Sequence, residues 1–275
     1  MFVGAITQYI DVAQLALYGF WGFFFVLVLY LHREGKREGY PLDTDRSDRI
    51  TVEGFPKMPP PKTYLLRDGS TVEQPSAERR DTRAVAAEPL AGFPGAPLVP
   101  TGDPLADGVG PAAWADRADE PEPDNHGGDR IRPMSRLDDE GFGIAGFGTD
   151  PRGAAVRTFD GEVVGTVEEL WVDHMESMVR YLGVSTDGGK TVVMPMNMAV
   201  LRKAAAGPAD GSIWDRMMAR RGSEIRVASV TAEQFAAAPT LADPNRLTMR
   251  EEDIIQGYFG GGALYATPKR SEPLL

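Results

Sequence analysis

Residues 12–31 read VAQLALYGFWGFFFVLVLYL, a run of twenty whose one strongly polar member is Gln14. At about 1.5 Å of rise per residue a helix of that length covers roughly 30 Å, the thickness of a bilayer's hydrocarbon core. The run therefore predicts a transmembrane helix at 12–31. A secretory signal peptide begins on a basic segment and ends at a small-residue cleavage site. Here no Lys or Arg precedes the run and HREGKREGYPL follows it, so the helix is expected to stay. Arg33, Lys36 and Arg37 come directly after it, and the positive-inside rule then puts residues 1–11 outside and the remainder in the cytoplasm. The helix reads either as a simple tether or as a packing surface. Ala13, Ala16, Gly19 and Gly22 leave room for a second helix to approach, whereas lipid would accept the bulky Tyr18, Phe20, Trp21, Phe23, Phe24 and Phe25 equally well.

What the anchor carries is acidic. The formal charge of −11 argues against a nucleic-acid partner and against broad adsorption to anionic lipid, both of which need basic surface. The chain has no cysteine, which excludes disulfides, thiolate nucleophiles and Cys-based metal sites. Its three histidines, His32, His126 and His174, form no HExxH pair.

Of the 22 prolines, 16 lie between Pro41 and Pro151, and they preclude long helices there. Such a stretch reads by default as a disordered linker. Spaced apolar residues favour another reading, an extended chain laid over a partner surface: Phe55, Met58, Tyr64 to Leu66, Phe93, Leu98, Val99, Trp114, Ile131 and Met134. Short strands are expected at 63–67 and 71–73, turning at Asp68 and Gly69.

Near residue 154 the pattern changes. Strands are predicted at 156–159, 163–172 (bent at Gly165), 179–185, 191–196, 198–202 and 225–227, which together make a small curved sheet or open barrel. Thr231-x-x-Gln234 and Thr248-x-x-Glu251 fit capping boxes that start two helices, and Gly260 to Gly262 are expected to stop or interrupt the second. The organisation expected is residues 1–11 outside, a span at 12–31, an extended proline-rich docking segment at 32–150, and a mainly β domain with a C-terminal helix at 151–275.

Catalytic motifs are scarce. Gly141-Phe-Gly-Ile-Ala-Gly146 matches GxGxxG, but its flanks supply neither the buried strand nor the helix that dinucleotide binding needs, which leaves a flexible glycine loop. No nucleophile–base set supports a membrane-tethered hydrolase. What remains is acid beside rare histidine: Asp173, His174 and Glu176 in one segment, and Asp116 to Asp129 around His126 in another. One reading is a solvated acidic face. The other is a proton-collecting surface, in which neighbouring carboxylates raise one another's pKa values toward the working pH.

In order, the chain carries REGYPL at 37–42, GFP at 92–94, TGDPLADGVGPAAW at 101–114, DNHG at 124–127, IRPM at 131–134, Trp171-Val-Asp173 with Glu176 and Arg180, MPM at 194–196, EED at 251–253, and LYATPKR at 264–270. This ordered set, the 101–114 string above all, resembles the H subunit of the purple-bacterial photosynthetic reaction centre. The resemblance implies a PRC-barrel cytoplasmic domain in a non-enzymatic accessory subunit that itself binds no cofactor. Bacteriochlorophyll, bacteriopheophytin, quinones and non-haem iron would belong to partner L and M subunits. A cytochrome subunit, a core light-harvesting ring and membrane lipids are further implied neighbours in an intracytoplasmic membrane, with the N-terminus periplasmic. The implied role is to cap L and M, to support assembly, and to pass protons to the secondary quinone. By position the resemblance assigns that route to Asp173, Glu176, Asp124 and His126, with supporting charge from Arg180, Arg130 and Arg132. No metal site is implied beyond a weak surface one at Asp124 and His126, because Gly128 stands where the family pattern often has a second histidine. Residues 204–221 look longer than the family's connection. The alternative is a stand-alone membrane-anchored PRC-barrel adaptor, which has no reason to carry the 101–114 string.

Overall fold

The computed structural model describes residues 4–7, 9–40, 42–43, 51–67, 69–76, 83–93, 96–137, 141–145, 148–203 and 223–271. Asp68, Gly146 and the 204–221 insertion lie outside them. The chain divides into two compact units, Met1–Thr82 with Gly92–Ala96, and Arg83–Ala91 with Pro97–Leu275.

In the first unit, helix α1 (Val12–Glu34) extends three residues past the apolar run. Its lone polar residue has a local reason. Asp11 accepts from the Gln14 N–H at 2.7 Å and the Gln14 side chain accepts from the Asp11 N–H at 3.2 Å, a complete capping box. No residue of α1 is buried within the chain, as befits a helix whose surroundings are lipid or other helices. It runs into a single 3-10 turn, Gly35–Arg37, in which Lys36 and Arg37 are buried. Lys36 Nζ donates to the carbonyls of Glu53 and, at 2.6 Å, Pro56. Arg37 donates to those of Pro60 at 2.7 Å and Gln74 at 3.1 Å. Proline-rich chain leaves many carbonyls without an intrachain amide donor, and these two cations supply donors. Two short antiparallel pairs complete the unit: β1 (Leu42–Asp43) with β2 (Thr51–Val52), and β3 (Lys62–Leu65) with β4 (Thr71–Gln74).

The second unit begins with another short pair, β5 (Ala87–Pro89) and β6 (Leu98–Pro100). Its main sheet contains β7 (Ile131–Pro133), β8 (Ala155–Arg157), β9 (Val163–Asp173), β10 (Met178–Thr186), β11 (Thr191–Pro195), β12 (Ala199–Lys203) and β13 (Ser223–Val227). The order is β11-β10-β9-β8-β13-β12, with β7 also on β9. All pairs are antiparallel except β13 with β8. Among the described residues β11 and β12 do not pair, so the barrel stays open. Gly165 sits where β9 passes close to its neighbour: a Cβ there would stand 2.1 Å from the Ser185 carbonyl oxygen.

Strand β9 explains how the sheet is covered. Its first half alternates buried and exposed, and its last four residues are all buried. Alternation means one covered face, and a fully buried run means two. The second cover is chain read from sequence as an extended docking segment. Leu105, Ala112, Ile131, Met134 and Leu137 belong to the same core cluster as Leu170, Trp171 and Val172. Residues 97–137 therefore lie in the same compact unit as the barrel strands, together with Arg83–Ala91. Each such buried side chain other than Ala112 contributes roughly 1.5–3 kcal/mol.

Helix α2 (Ala232–Ala237) and helix α3 (Met249–Tyr265) start on the two expected capping boxes. The expectation that Gly260 to Gly262 would break α3 is corrected: the helix runs through them. A Cβ at Gly261 would stand 2.5 Å from the Ala112 Cβ, and one at Gly262 would stand 2.1 Å from the Ser229 carbonyl oxygen. The glycines let α3 pack backbone against backbone, which offsets their cost of about 1 kcal/mol each.

Candidate functional site

Asp173 is the last residue of β9, and β10 starts at Met178. The turn between them closes on the Asp173 side chain, whose Oδ1 accepts from the N–H groups of Met175 and Glu176, both at 3.1 Å. Aspartate is suited to this task because its short carboxylate reaches amides two and three residues on. Ser177 completes the turn in the left-handed region, at φ 52°.

β7 then brings a cation to the carboxylate. Ile131 pairs in register with Asp173, so Arg130 arrives directly beside it. The Arg130 guanidinium bridges three carboxylates: Asp173 Oδ2 at 2.9 Å, Glu122 Oε1 at 3.0 Å and Glu176 Oε1 at 2.8 Å. Arg180, on β10, closes the far side at 2.6 Å from Glu176 Oε2 and 3.5 Å from Asp173 Oδ2. The result is an alternating series, Glu122–Arg130–Asp173/Glu176–Arg180, in which Asp173 is buried and Glu176 is exposed. Arg132 pairs in register with Val172, one step along the same strand.

Burial alone would push the Asp173 carboxyl up. The hydrogen bond from Arg130, the Glu176 amide and the charges of Arg130 and Arg180 outweigh it, so the group sits below the usual carboxylate range. Arg130 is correspondingly held more firmly protonated, chiefly by its hydrogen bond to Asp173. Mutual repulsion among acids, the effect expected from sequence, loses here to interleaved arginines.

Asp124 lies in the adjoining loop, which a Pro123–Asp129 bridge closes. Its Oδ1 accepts from the backbone N–H groups of His126 at 2.7 Å and Gly128 at 2.8 Å. Those amides, the Gly128 one foremost, depress its pKa against the opposing effect of burial. His126 contributes its main chain here. The histidine that reaches Asp124 is His174, with Nε2 at 3.2 Å from Oδ2. Among the described residues no group of three His, Cys, Asp or Glu side chains is placed to hold a metal ion.

Glu252 is a member that sequence reasoning quoted only inside a motif. It lies half-buried on the first turns of α3. Burial pushes its carboxyl up to about 7; Arg117 and Arg180 pull it down, while Glu122 and Asp253 add to the rise. Segment 116–122 holds this helix end: Arg117 pairs with Asp253 at 3.4 Å, and Arg250 with Asp116 at 3.1 Å and Asp119 at 3.3 Å. The signal in the sequence was two successive acids, Glu252 and Asp253, in the first turns after a capping box.

The model for the photosynthetic reaction centre H-chain N-terminal region matches residues 4–136, and the PRC-barrel domain model matches residues 145–206. The chain belongs to the reaction-centre H-chain family. The first match includes 101–114, the string that a stand-alone barrel adaptor would lack. An H chain is a structural subunit of a photochemical complex, associated with the L and M subunits that carry its cofactors. Its one apolar N-terminal helix fits a single-pass membrane protein.

Proposed function

We propose that this H chain caps the cytoplasmic face of L and M, supports their assembly, and conducts protons from the cytoplasm to the secondary quinone. It does so as an accessory subunit, without catalysing a reaction of its own. The observation that carries the proton role is the alternating acid–base series from Glu122 to Arg180. Asp173, held below the usual carboxylate range chiefly by Arg130, releases a proton as soon as it receives one, and the negative charges of Glu122 and Glu176 beside it draw protons toward the series. Glu252, at about 7, complements them as a group that is half occupied near neutral pH. His126 and Asp124 belong at the mouth of the route, and Arg132 adds positive charge along β7.

Replacing Asp173 and Glu176 together, D173N with E176Q, is expected to slow the second, proton-coupled electron transfer to the quinone. The first light-driven charge separation should be unchanged, since the pigments sit in other subunits. Wild-type proton uptake in the double variant would reduce both residues to structural acids.

For orientation, Arg33, Lys36 and Arg37 support a periplasmic N-terminus in the intracytoplasmic membrane. Protease added to inside-out vesicles, once partners are stripped away, should digest the chain beyond residue 40, and right-side-out vesicles should protect it. The reverse pattern would overturn the topology.

A further inference from the structure

The loop of residues 122–130 carries Glu122 on its incoming arm and Arg130 on its outgoing arm, and the Arg130 N–H donates to the Glu122 carbonyl at 2.8 Å. The chain leading into it is fastened to the start of α3 by main chain. The Met249 N–H donates to the Glu120 carbonyl at 2.9 Å, and the Arg250 N–H to the Ala118 carbonyl at 3.2 Å. The hydroxyl of Thr248, the residue that caps α3, adds a bond to Asp119 Oδ1 at 3.0 Å.

The outgoing arm faces the same helix start across a cleft of about 440 Å³, with Gly128 and Asp129 on one side and Ala242 and Arg246 on the other. Arg246 spans it. Its Nε donates to Asp129 Oδ2 at 3.1 Å and its Nη2 to Asp129 Oδ1 at 3.4 Å, a two-pronged fork that fixes direction as well as distance. Arg246 is held in turn by its own loop, two residues before the cap of α3. Its N–H donates to the Asp243 carbonyl at 3.1 Å, and the Asp243 carboxylate accepts from the Asn245 N–H at 2.9 Å. Asp129 directly precedes Arg130, and Ile131 then enters β7 in register with Asp173. The guanidinium that joins Glu122, Asp173 and Glu176 therefore departs from chain pinned on both sides, at 129 and at 131.

We propose that Arg246 is a positioning residue: by gripping Asp129 it aims Arg130 at Asp173 and Glu176. The proposal rests on the proton-delivery reading for its effect on the quinone, though not for its geometry. The pair is partly exposed, 52% for the Arg246 side chain and 31% for that of Asp129. Its loss should leave the fold intact and shift the population of the aimed arrangement by about fivefold at most.

Two measurements on the purified reaction-centre complex test this. In R246Q the Gly128 and Arg130 amides should exchange about threefold faster, while β9 and β10 stay protected. The second, proton-coupled electron transfer should slow by a similar factor, with the first charge separation unchanged. D129N should do the same, the double variant D129N/R246Q should be no worse than either single one, and D129N decides the matter if R246Q fails to assemble. In a D173N/E176Q background, R246Q should add nothing to the slowing, because its effect passes through those carboxylates. Wild-type exchange at Arg130 in R246Q, additive effects of D129N and R246Q, or an R246Q slowing that persists in D173N/E176Q would each overturn the proposal. So would a wild-type second transfer in R246Q where D173N/E176Q is slow. Wild-type proton uptake in D173N/E176Q itself would instead overturn proton delivery, and the exchange result alone would then decide whether Arg246 positions Arg130.

Discussion

Arg130 Nε donates to Asp173 Oδ2 across 2.9 Å, and the two residues are 43 positions apart in the chain. The carboxylate is 1% exposed and its other cation, Arg180, is 3.5 Å away, so Arg130 is its main compensation. R130A should cost about 3 kcal/mol, because it strands a buried charge. D173N should cost less, since Arg130 keeps Glu122 and Glu176. Denaturant titration of the detergent-solubilised chain measures both, and an R130A loss under about 0.5 kcal/mol would mean that water reaches Asp173. The depressed pKa adds a pH signature. The stabilisation is complete above the ordinary carboxylate range near pH 4 and is lost as pH falls through the lower folded value. D173N should therefore flatten the acid limb of the stability curve.

Glu252 behaves in the opposite sense. Its folded pKa of about 7 lies above the ordinary 4.5, so between those values the folded chain holds a proton that the unfolded chain has released. Stability then falls as pH rises from about 4.5 to 7 and levels off above. E252Q should be nearly neutral at pH 5 and stabilising by about 2 kcal/mol at pH 8. Thermal melts of the two chains at both pH values decide it; equal effects at pH 5 and 8 would mean that the carboxyl is ordinary.

Alanine normally improves a helix interior over glycine by about 1 kcal/mol. At Gly262 the new Cβ would meet the Ser229 carbonyl at 2.1 Å, so G262A should instead lose on the order of 1–3 kcal/mol. G260A is the control, because its nearest neighbours are 3.9 Å away. A stabilised G262A chain would show that α3 can retreat from Ser229 at little cost.

Hydrogen exchange should divide the proline-rich chain in two. Residues 105–137 pack into the barrel's core and should be protected in the isolated subunit as well as in the complex. Phe55, Leu65 and Phe93 are exposed within this chain, and their segments should gain protection only when L and M are present. Equal protection of residues 51–76 in both states would argue that partners do not cover them.

Wherever the deciding interactions are short-range, the sequence was sufficient. Val12 to Leu31 specify a spanning helix through length and apolarity alone. Thr231-Gln234 and Thr248-Glu251 specify two helix starts, because a capping box is complete within four residues. Strands β8 to β13 were readable within a few residues at each end, from β-branched runs punctuated by glycine turns. The ordered motifs from 37 to 270 identified the family, since such a set reflects descent and not packing.

Contacts between distant segments were not readable. Strand β7 was invisible, because three residues ending in proline carry no periodicity of their own and form a strand only by pairing with β9. The packing of Leu105 and Met134 into the core was hidden for the same reason: they look alike whether they face a partner or their own core. Acidity at 116–129 and 173–176 was plain from sequence, but its electrostatic sign was set by Arg130 and Arg180 coming between the carboxylates. The sequence by itself determined the anchor, the strand and helix inventory and the family. The tertiary structure alone decided which charges meet, because a pKa depends on distance and burial, and only the folded chain holds Asp173 against Arg130 and Asp124 against His174.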